Sequence, residues 1–261
     1  MVPIRPPRAG RSTTNPHPPA APIPVARRCA RLGAVLLVVL LGGMALSSGR
    51  ARAQPGGTGT GFLVRQDGWI LTVAEVVADA RELAVTCPGR PTVPALIDQV
   101  VPRLDLAILR VPFEDLPFLS LNLSISVSEA VRVGDTVDTV AYLATDGRKP
   151  QPVVGEATVL GLVGPGDALE FFQILMRKEQ RGAGGPVVSP RGDAIGVLTT
   201  LDVKRGEAKQ VIAPPDGATW VIKAQAARQL FIAPPPRPAT KTRQEAIERA
   251  RGATCLIEVT R

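Results

Sequence analysis

The sequence predicts an all-β fold, and three observations lead to that class. From Thr58 onward the chain consists of short apolar runs, some alternating with polar residues and some wholly apolar, as β-strands do. Glycine, proline and aspartate separate these runs at intervals of roughly 8 to 12 residues, a spacing typical of β-barrels and β-sandwiches. Asp67-Gly68 and Arg191-Gly192 lie between apolar runs, where tight turns join neighbouring strands.

The predicted strands fall into two groups, separated by a linker at residues 112–128 that has little periodicity. After the second group we expect a short helix at 224–230, an extended proline-rich hinge at 234–238, a helix at 242–251 and a last strand at 254–259. The strands are predicted at 62–64, 69–71, 83–87, 93–101 and 106–111 in the first group, and at 136–143, 153–163, 169–176, 186–188, 194–201 and 219–222 in the second.

The positive charge of the chain is confined to its N-terminal part. Of 261 residues, 31 are Lys or Arg and 23 are Asp or Glu, which gives a net charge of +8. Residues 1–53 contain eight arginines and no acidic residue, leaving 23 basic against 23 acidic residues in 54–261. A neutral body lacks the charge that drives nucleic-acid binding, so no nucleic-acid partner is expected. The only histidine, His17, also precedes residue 54, which excludes imidazole chemistry from the main part of the chain.

Residues 1–53 have the three parts of a secretory signal. A proline- and arginine-rich region is followed by a 15-residue apolar run at 32–46 and then by Ala51-Arg52-Ala53, a small-x-small cleavage pattern. The apolar run is shorter than the roughly 20 residues that a membrane-spanning helix needs. We therefore expect cleavage after Ala53 and a periplasmic or secreted chain that begins at Gln54. The alternative is an uncleaved signal that anchors the chain in a membrane.

This signal divides the sequence into a leader (1–53), a main domain (54–232) and a C-terminal segment (233–261) with the hinge, helix and last strand. Of the three cysteines, Cys29 belongs to the leader, which leaves Cys87 and Cys255. An oxidising compartment would allow these two to form a disulfide. The alternative is two buried free thiols, because sequence alone does not fix a bridge.

Three segments share a family's sequence blocks, in the same order and with similar spacing. They are Gly59-Thr60-Gly61-Phe62-Leu63-Val64 with Asp67-Gly68-Trp69-Ile70-Leu71-Thr72, then Leu104-Asp105-Leu106-Ala107-Ile108-Leu109, then Gly182-Ala183-Gly184-Gly185-Pro186-Val187-Val188. They resemble the blocks around the catalytic residues of trypsin-like serine proteases of the bacterial HtrA (Deg) type. The resemblance covers residues 58–231 and implies two six-stranded Greek-key barrels.

The same resemblance implies that the catalytic residues are replaced. The position of the general base, histidine in the family, is Glu75, and the position of the nucleophilic serine is Ala183. Only Asp105, at the position of the aspartate that orients the histidine, is retained. Without the nucleophile and the base, this aspartate has nothing to orient.

The oxyanion loop is expected at Arg181, Gly182 and Ala183, where Arg181 replaces a family glycine. An oxyanion hole needs two main-chain N–H groups aimed at one point, so this replacement puts the hole in doubt. Glu75 and Asp105 could instead act as a carboxylate pair, but two carboxylates alone make a poor metal site. We expect no metal and no cofactor.

These observations favour an exported, catalytically inactive trypsin-like domain that binds peptides or proteins or serves as a scaffold. The resemblance places the rim of its peptide groove at Val197, Leu198, Thr199 and Thr200, where an extended peptide could add as a strand. One alternative is a serine-type endopeptidase, as family membership suggests, or a residual hydrolase that uses other chemistry. Another is a structural role, with the domain repeated in an array joined through its C-terminal segment.

The first barrel is predicted to lack a strand. The first group contains five strands where the family barrel has six, and an open barrel edge exposes unpaired main-chain groups. The C-terminal strand at Cys255–Val259 has the composition to fill this gap, either in its own chain or in a neighbour as part of a homo-oligomer. The alternative is a terminal strand that pairs loosely elsewhere or a disordered terminus.

Overall fold

A computed structural model describes residues 55–123, 130–143, 150–164, 167–200, 203–205, 210–212 and 217–261. The predicted leader and its cleavage site lie outside these residues. The all-β class is confirmed, and no helix in the described part of the chain is long and apolar enough to cross a membrane. The elements are β1 (Pro55–Arg65), β2 (Trp69–Thr72), α1 (Ala74–Val77), β3 (Glu82–Thr86), β4 (Val93–Pro94), β5 (Leu96–Val101), β6 (Leu106–Arg110), β7 (Thr136–Tyr142), β8 (Pro152–Gly161), β9 (Phe171–Met176), β10 (Pro186–Val188), β11 (Ala194–Leu198), β12 (Val203–Arg205), β13 (Gln210–Ile212), β14 (Ala218–Lys223), α2 (Arg243–Ala253) and β15 (Thr254–Thr260).

The second group of strands forms a closed six-stranded barrel, as predicted. Its order is β10-β11-β14-β9-β8-β7, and every neighbouring pair is antiparallel. Alternate residues such as Phe172 and Ile174 point into a fully buried core, which is the period-two pattern read from the sequence. The helix expected after this barrel is a 3₁₀ helix at Ala224–Gln229. Neither the β12–β13 hairpin nor α1 was predicted.

The first group forms a seven-stranded sheet in the order β4-β3-β15-β1-β2-β6-β5. This count differs from the six strands expected because the predicted strand 93–101 is divided at Ala95. Its first part pairs with β3 and its second part with β6, so the chain itself joins the two ends of the sheet. The Ala95 N–H extends the β3 pairing by donating to the Leu83 carbonyl at 2.9 Å. The sheet packs into a buried apolar core that also includes residues of the second barrel and of α2, such as Val140 and Ala250.

The C-terminal strand fills the predicted gap in its own chain. β15 pairs with β1 from Gly57–Val259 to Phe62–Thr254, and with β3 from Leu256–Thr86 to Thr260–Glu82. Ile257 is fully buried. The last strand of the chain is therefore an interior strand of the first sheet, and the prediction made from the open edge is confirmed.

Hydrogen bonds fix the path of the chain from the second barrel to β15. The Arg237 N–H donates to Ser120 Oγ at 2.7 Å, and its guanidinium donates to the Phe118 carbonyl at 3.0 Å while lying 5.2 Å from the Phe118 ring centre. Further along, the Thr240 N–H donates to the Arg191 carbonyl at 2.9 Å. The proline-rich hinge is thus attached to the linker between the barrels through Arg237, and the chain just after it is attached to the turn before β11 through Thr240.

Helix α2 is capped and packs its alanine face inward. The Thr242 side chain accepts from the Glu245 N–H at 3.2 Å, and the Glu245 carboxylate accepts from the Lys241 N–H at 2.8 Å, so that two main-chain donors at the helix start are satisfied. Arg243 binds buried Asp138 of the second barrel through both Asp138 oxygens. The fully buried residues of the helix are Ala246, Ala250 and Ala253.

Cys87 and Cys255 form a disulfide, which is one of the two alternatives that the sequence left open. It joins the residue after β3 to β15 and closes a loop whose ends are 168 positions apart. Covalent closure of so long a loop restricts the unfolded chain strongly.

Replacing both cysteines by serine is expected to lower the free energy of unfolding by about 5 kcal/mol on the chain-entropy estimate. Chemical denaturation of the oxidised chain and of the Cys87→Ser/Cys255→Ser variant measures this difference. Equal denaturation midpoints for the two proteins would show that the bridge does not stabilise the fold.

Candidate functional site

Asp105 lies at the bend between a 3₁₀ turn, Pro102–Leu104, and strand β6. Its backbone is left-handed, with φ 51° and ψ 42°, and its N–H donates to the Pro102 carbonyl at 3.1 Å. Aspartate adopts this conformation more readily than most residues, so the turn is compatible with an aspartate at its end. The residue is 9% exposed, and the turn directs its carboxylate toward α1 and the end of β11.

Both oxygens of the Asp105 carboxylate accept hydrogen bonds. The Glu75 N–H donates to Oδ1 at 3.0 Å, and the Thr199 hydroxyl donates to Oδ2 at 2.8 Å. The Asp105 carbonyl also accepts from the Ala74 N–H at 3.1 Å. Asp105 therefore ties the first turn of α1, in the first sheet's half of the molecule, to the second barrel.

Burial raises the pKa of Asp105 to about 6. Loss of hydration is the largest cause, the Thr199 hydroxyl and the Glu75 N–H act in the opposite direction, and the Glu75 carboxylate raises the pKa further. Because the folded pKa exceeds that of the unfolded chain, the contribution of this group to stability is full below about pH 4. That contribution is lost as the pH rises through about 6.

We expect Asp105→Asn to show this dependence. Asparagine keeps the size and the left-handed turn but cannot ionise. The stability of wild type relative to the variant should fall by up to about 3 kcal/mol between pH 4 and pH 7.5. Urea unfolding of both proteins across this range measures the difference. A difference that does not change with pH would contradict the expectation.

The Glu75 carboxylate makes similar contacts with Thr200, the residue that follows Thr199. Its Oε1 accepts from the Thr200 N–H at 3.0 Å, and the Thr200 hydroxyl lies 2.8 and 2.9 Å from the two carboxylate oxygens. Two carboxylates beside the first sheet thus bind two consecutive threonines beyond β11. We call Glu75, Asp105, Thr199 and Thr200 the carboxylate–threonine clasp.

Ala183 lies in a loop that the surrounding backbone holds closely. Its carbonyl accepts from the Thr60 N–H at 3.0 Å, and the next N–H, of Gly184, donates to the Leu198 carbonyl at 2.8 Å. Gly184 has φ +84° and passes so close to the Thr60 carbonyl that a Cβ would collide with it. The loop is therefore well defined, and the side chain that it presents is a methyl group.

Arg181 uses its main-chain donor within the loop. Its N–H donates to the Lys178 carbonyl at 3.3 Å, closing the 3₁₀ turn at Lys178–Gln180. The Arg181 N–H is therefore engaged within its own turn.

Part of the predicted groove rim has no open edge. Val197 pairs with Pro186 on one side and Ile222 on the other, and Leu198 pairs with Val221 while its N–H donates to the Gly185 carbonyl at 2.8 Å. Both residues are buried inside the closed barrel. Thr199 is buried too, and Thr200 is the exposed residue of the four. Val197 and Leu198 therefore have no free main-chain edge, because β11 is an interior strand up to Leu198.

Sequence reasoning missed the contacts made by Thr199 and Thr200 with the two carboxylates. These partners are 94 and 125 positions apart, and no local pattern links them. Among the described residues, no group of three or more His, Cys, Asp or Glu could hold a metal ion. The Glu75 carboxylate is near enough to Asp105 to raise its pKa. The oxygens of both carboxylates accept hydrogen bonds, from Thr199 and the Glu75 N–H at Asp105 and from Thr200 at Glu75.

This chain is similar in sequence to known proteins of one family. The sequence profile of the trypsin-like peptidase domain matches residues 59–197. A "probable periplasmic serine endoprotease DegP-like" of Pseudomonas putida (strain GB-1) is 30% identical over 149 residues, which cover 57% of this chain and 30% of that protein. The mitochondrial serine protease HTRA2 of Bos taurus is 33% identical over 174 residues, or 64% of this chain and 36% of that protein. The chain thus spans about a third of the length of these relatives.

Solved structures share the fold. The HtrA-type protease AlgW with a decapeptide superposes with a TM-score of 0.50 at 20% identity, covering 74% of this chain and 52% of the other. A serine endoprotease from Yersinia pestis gives a TM-score of 0.51 at 22% identity, covering 68% and 62% of the two chains. The fold, the sequence profile and the relatives therefore all indicate a trypsin-like peptidase domain.

Proposed function

Because this chain belongs to the trypsin-like peptidase family and is of the HtrA type, we propose that it is an exported family member that has lost peptidase activity and binds extended peptides or proteins. Its relatives are serine proteases, and those named periplasmic suggest an extracytoplasmic location. On this proposal the protein keeps the fold of the family and its ability to bind a peptide but lacks its catalytic chemistry. Fold alone does not confer activity, so the case depends on the site.

The carboxylate–threonine clasp is the observation that supports the loss of activity. We assign Glu75 to the position of the general base and Ala183 to that of the nucleophile. A methyl group cannot attack a carbonyl, and the Glu75 carboxylate is engaged by the N–H and hydroxyl of Thr200. Both oxygens of Asp105, the retained triad position, also accept hydrogen bonds. We infer that this arrangement does not carry out the chemistry of the triad and instead links the first sheet to the second barrel.

The loop at Arg181 supports the same conclusion. Stabilising a developing oxyanion needs preorganised donors, and one missing donor typically costs about a hundredfold or more in rate. The Arg181 N–H donates to the Lys178 carbonyl. We infer that this N–H, one of the two donors that an oxyanion hole needs, is not available to a substrate. Any residual hydrolysis would have to proceed without nucleophile, base or full oxyanion hole.

Peptide binding is proposed for the exposed segment at Thr200. AlgW, which shares the fold, is described with a decapeptide, so a peptide can occupy such a protein. In this chain Thr200 is the exposed residue beyond the paired part of β11, and its main-chain N–H points into the clasp. We infer that an extended peptide lies along this segment and pairs with its backbone, as in strand addition.

A serine-directed fluorophosphonate probe tests the loss of activity. The purified chain should remain unlabelled under conditions in which an active HtrA-type protease is labelled to completion, because no activated serine is present. Stoichiometric labelling that maps by mass spectrometry to a serine near Ala183 would favour the serine-type endopeptidase alternative.

A further inference from the structure

The Glu75 carboxylate accepts a hydrogen bond from the Thr200 N–H, a main-chain donor that an added strand would need. Thr200 is exposed, and its N–H donates to Glu75 Oε1 at 3.0 Å, with the hydroxyl at 2.8 and 2.9 Å from the two carboxylate oxygens. A peptide that pairs with Thr200 must therefore displace the carboxylate. Glu75 acts as an internal competitor for this position.

The displaced carboxylate needs a new partner. Among the described residues no lysine or arginine forms an ion pair with Glu75, and the adjacent Asp105 is also a carboxylate. Glu75 is partly buried, and a partly buried carboxylate that loses its hydrogen-bond donors bears a desolvation cost. A cation brought by the ligand would offset this cost through a charge-assisted hydrogen bond.

We propose, building on the proposed function, that Glu75 determines specificity by selecting peptides that carry a lysine or arginine. A peptide carbonyl takes over the Thr200 N–H, and the peptide cation takes over the Glu75 carboxylate. A neutral peptide leaves that carboxylate without compensation. An acidic peptide adds repulsion from Glu75 and Asp105, so its affinity is the lowest of the three.

Fluorescence anisotropy of the full chain with three labelled decapeptides tests this. The peptides have one sequence and differ at a central residue that is lysine, glutamine or glutamate. The lysine peptide should bind at least about tenfold more tightly than the glutamine peptide, with the glutamate peptide weakest. In Glu75→Gln the lysine and glutamine peptides should differ by less than about twofold, because the charge to be compensated is gone.

Glu258→Gln is the matched control, since Glu258 is an exposed carboxylate of β15 outside the clasp. This variant should keep the preference for lysine. Equal affinity of wild type for the lysine and glutamine peptides, or a lysine preference that persists in Glu75→Gln, would overturn the selection by Glu75 while leaving peptide binding intact. If none of the three peptides binds to either protein, both the selection and the proposed function fail.

Discussion

Removal of residues 253–261 is expected to abolish the folded state of the first sheet rather than trim its end. β15 pairs with β1 on one side and β3 on the other, so its loss exposes the main-chain groups of two interior strands. It also removes the buried side chains of Leu256, Ile257 and Val259. Each such side chain contributes roughly 2 kcal/mol, and a typical domain has only about 5 to 15 kcal/mol of net stability.

Thermal unfolding followed by circular dichroism, together with size-exclusion chromatography, measures the effect. The truncated chain should lack a cooperative transition or elute as an aggregate. The full-length Cys255→Ser variant is the control, because it loses the disulfide but keeps the strand, and it should still unfold cooperatively. A truncated chain that melts at the temperature of the full chain would show that β15 is dispensable.

Restoring the nucleophile alone is expected to leave the chain inactive. In serine proteases, removing either the serine or the histidine costs about as much as removing the whole triad, roughly 10⁶ in kcat for subtilisin. Ala183→Ser would have a hydroxyl without a base, and Glu75→His a base without a nucleophile. Only the double variant combines them beside Asp105, whose carboxylate already accepts the residue 75 N–H.

We therefore expect the double variant Glu75→His/Ala183→Ser to react with a fluorophosphonate at least about a hundredfold faster than either single variant. Rates of labelling by mass spectrometry give the comparison. Adding Arg181→Gly tests the loop separately, since freeing that donor should raise the rate again. A single Ala183→Ser variant that labels as fast as the double variant would refute the assignment of Glu75 to the base position.

Local patterns predicted most of the strands of this protein and two of its glycine turns, but not the β12–β13 pair. The turn at Asp67-Gly68 uses a glycine at φ +83°, and that at Arg191-Gly192 a glycine at φ +85°, conformations that favour glycine at both points. The missing barrel strand was also predictable, because the family resemblance implies six strands where the first group has five, an unpaired edge is costly, and the C-terminal segment has the composition of a strand. The strands with which it pairs could not be identified from the sequence.

Other features depend on contacts that no local pattern encodes. The division of strand 93–101 at Ala95 arises because β3 and β6 draw its two parts into different pairings. Helix α1 has only four residues, too few to show a helical period. The clasp joins two pairs of residues whose members are 94 and 125 positions apart in the sequence. The disulfide was one of two alternatives, and only the pairing of β15 with β3 brings its two cysteines together.

The central claim, a trypsin-like domain that binds a peptide without cleaving it, is tested most directly by native mass spectrometry. The full chain is incubated for hours with the lysine-containing decapeptide, and the bound and free species are weighed in one spectrum. The account predicts a complex whose mass is that of the protein plus the intact peptide, with no peptide fragments. Fragments that accumulate with time, or a spectrum with no complex at all, would contradict it.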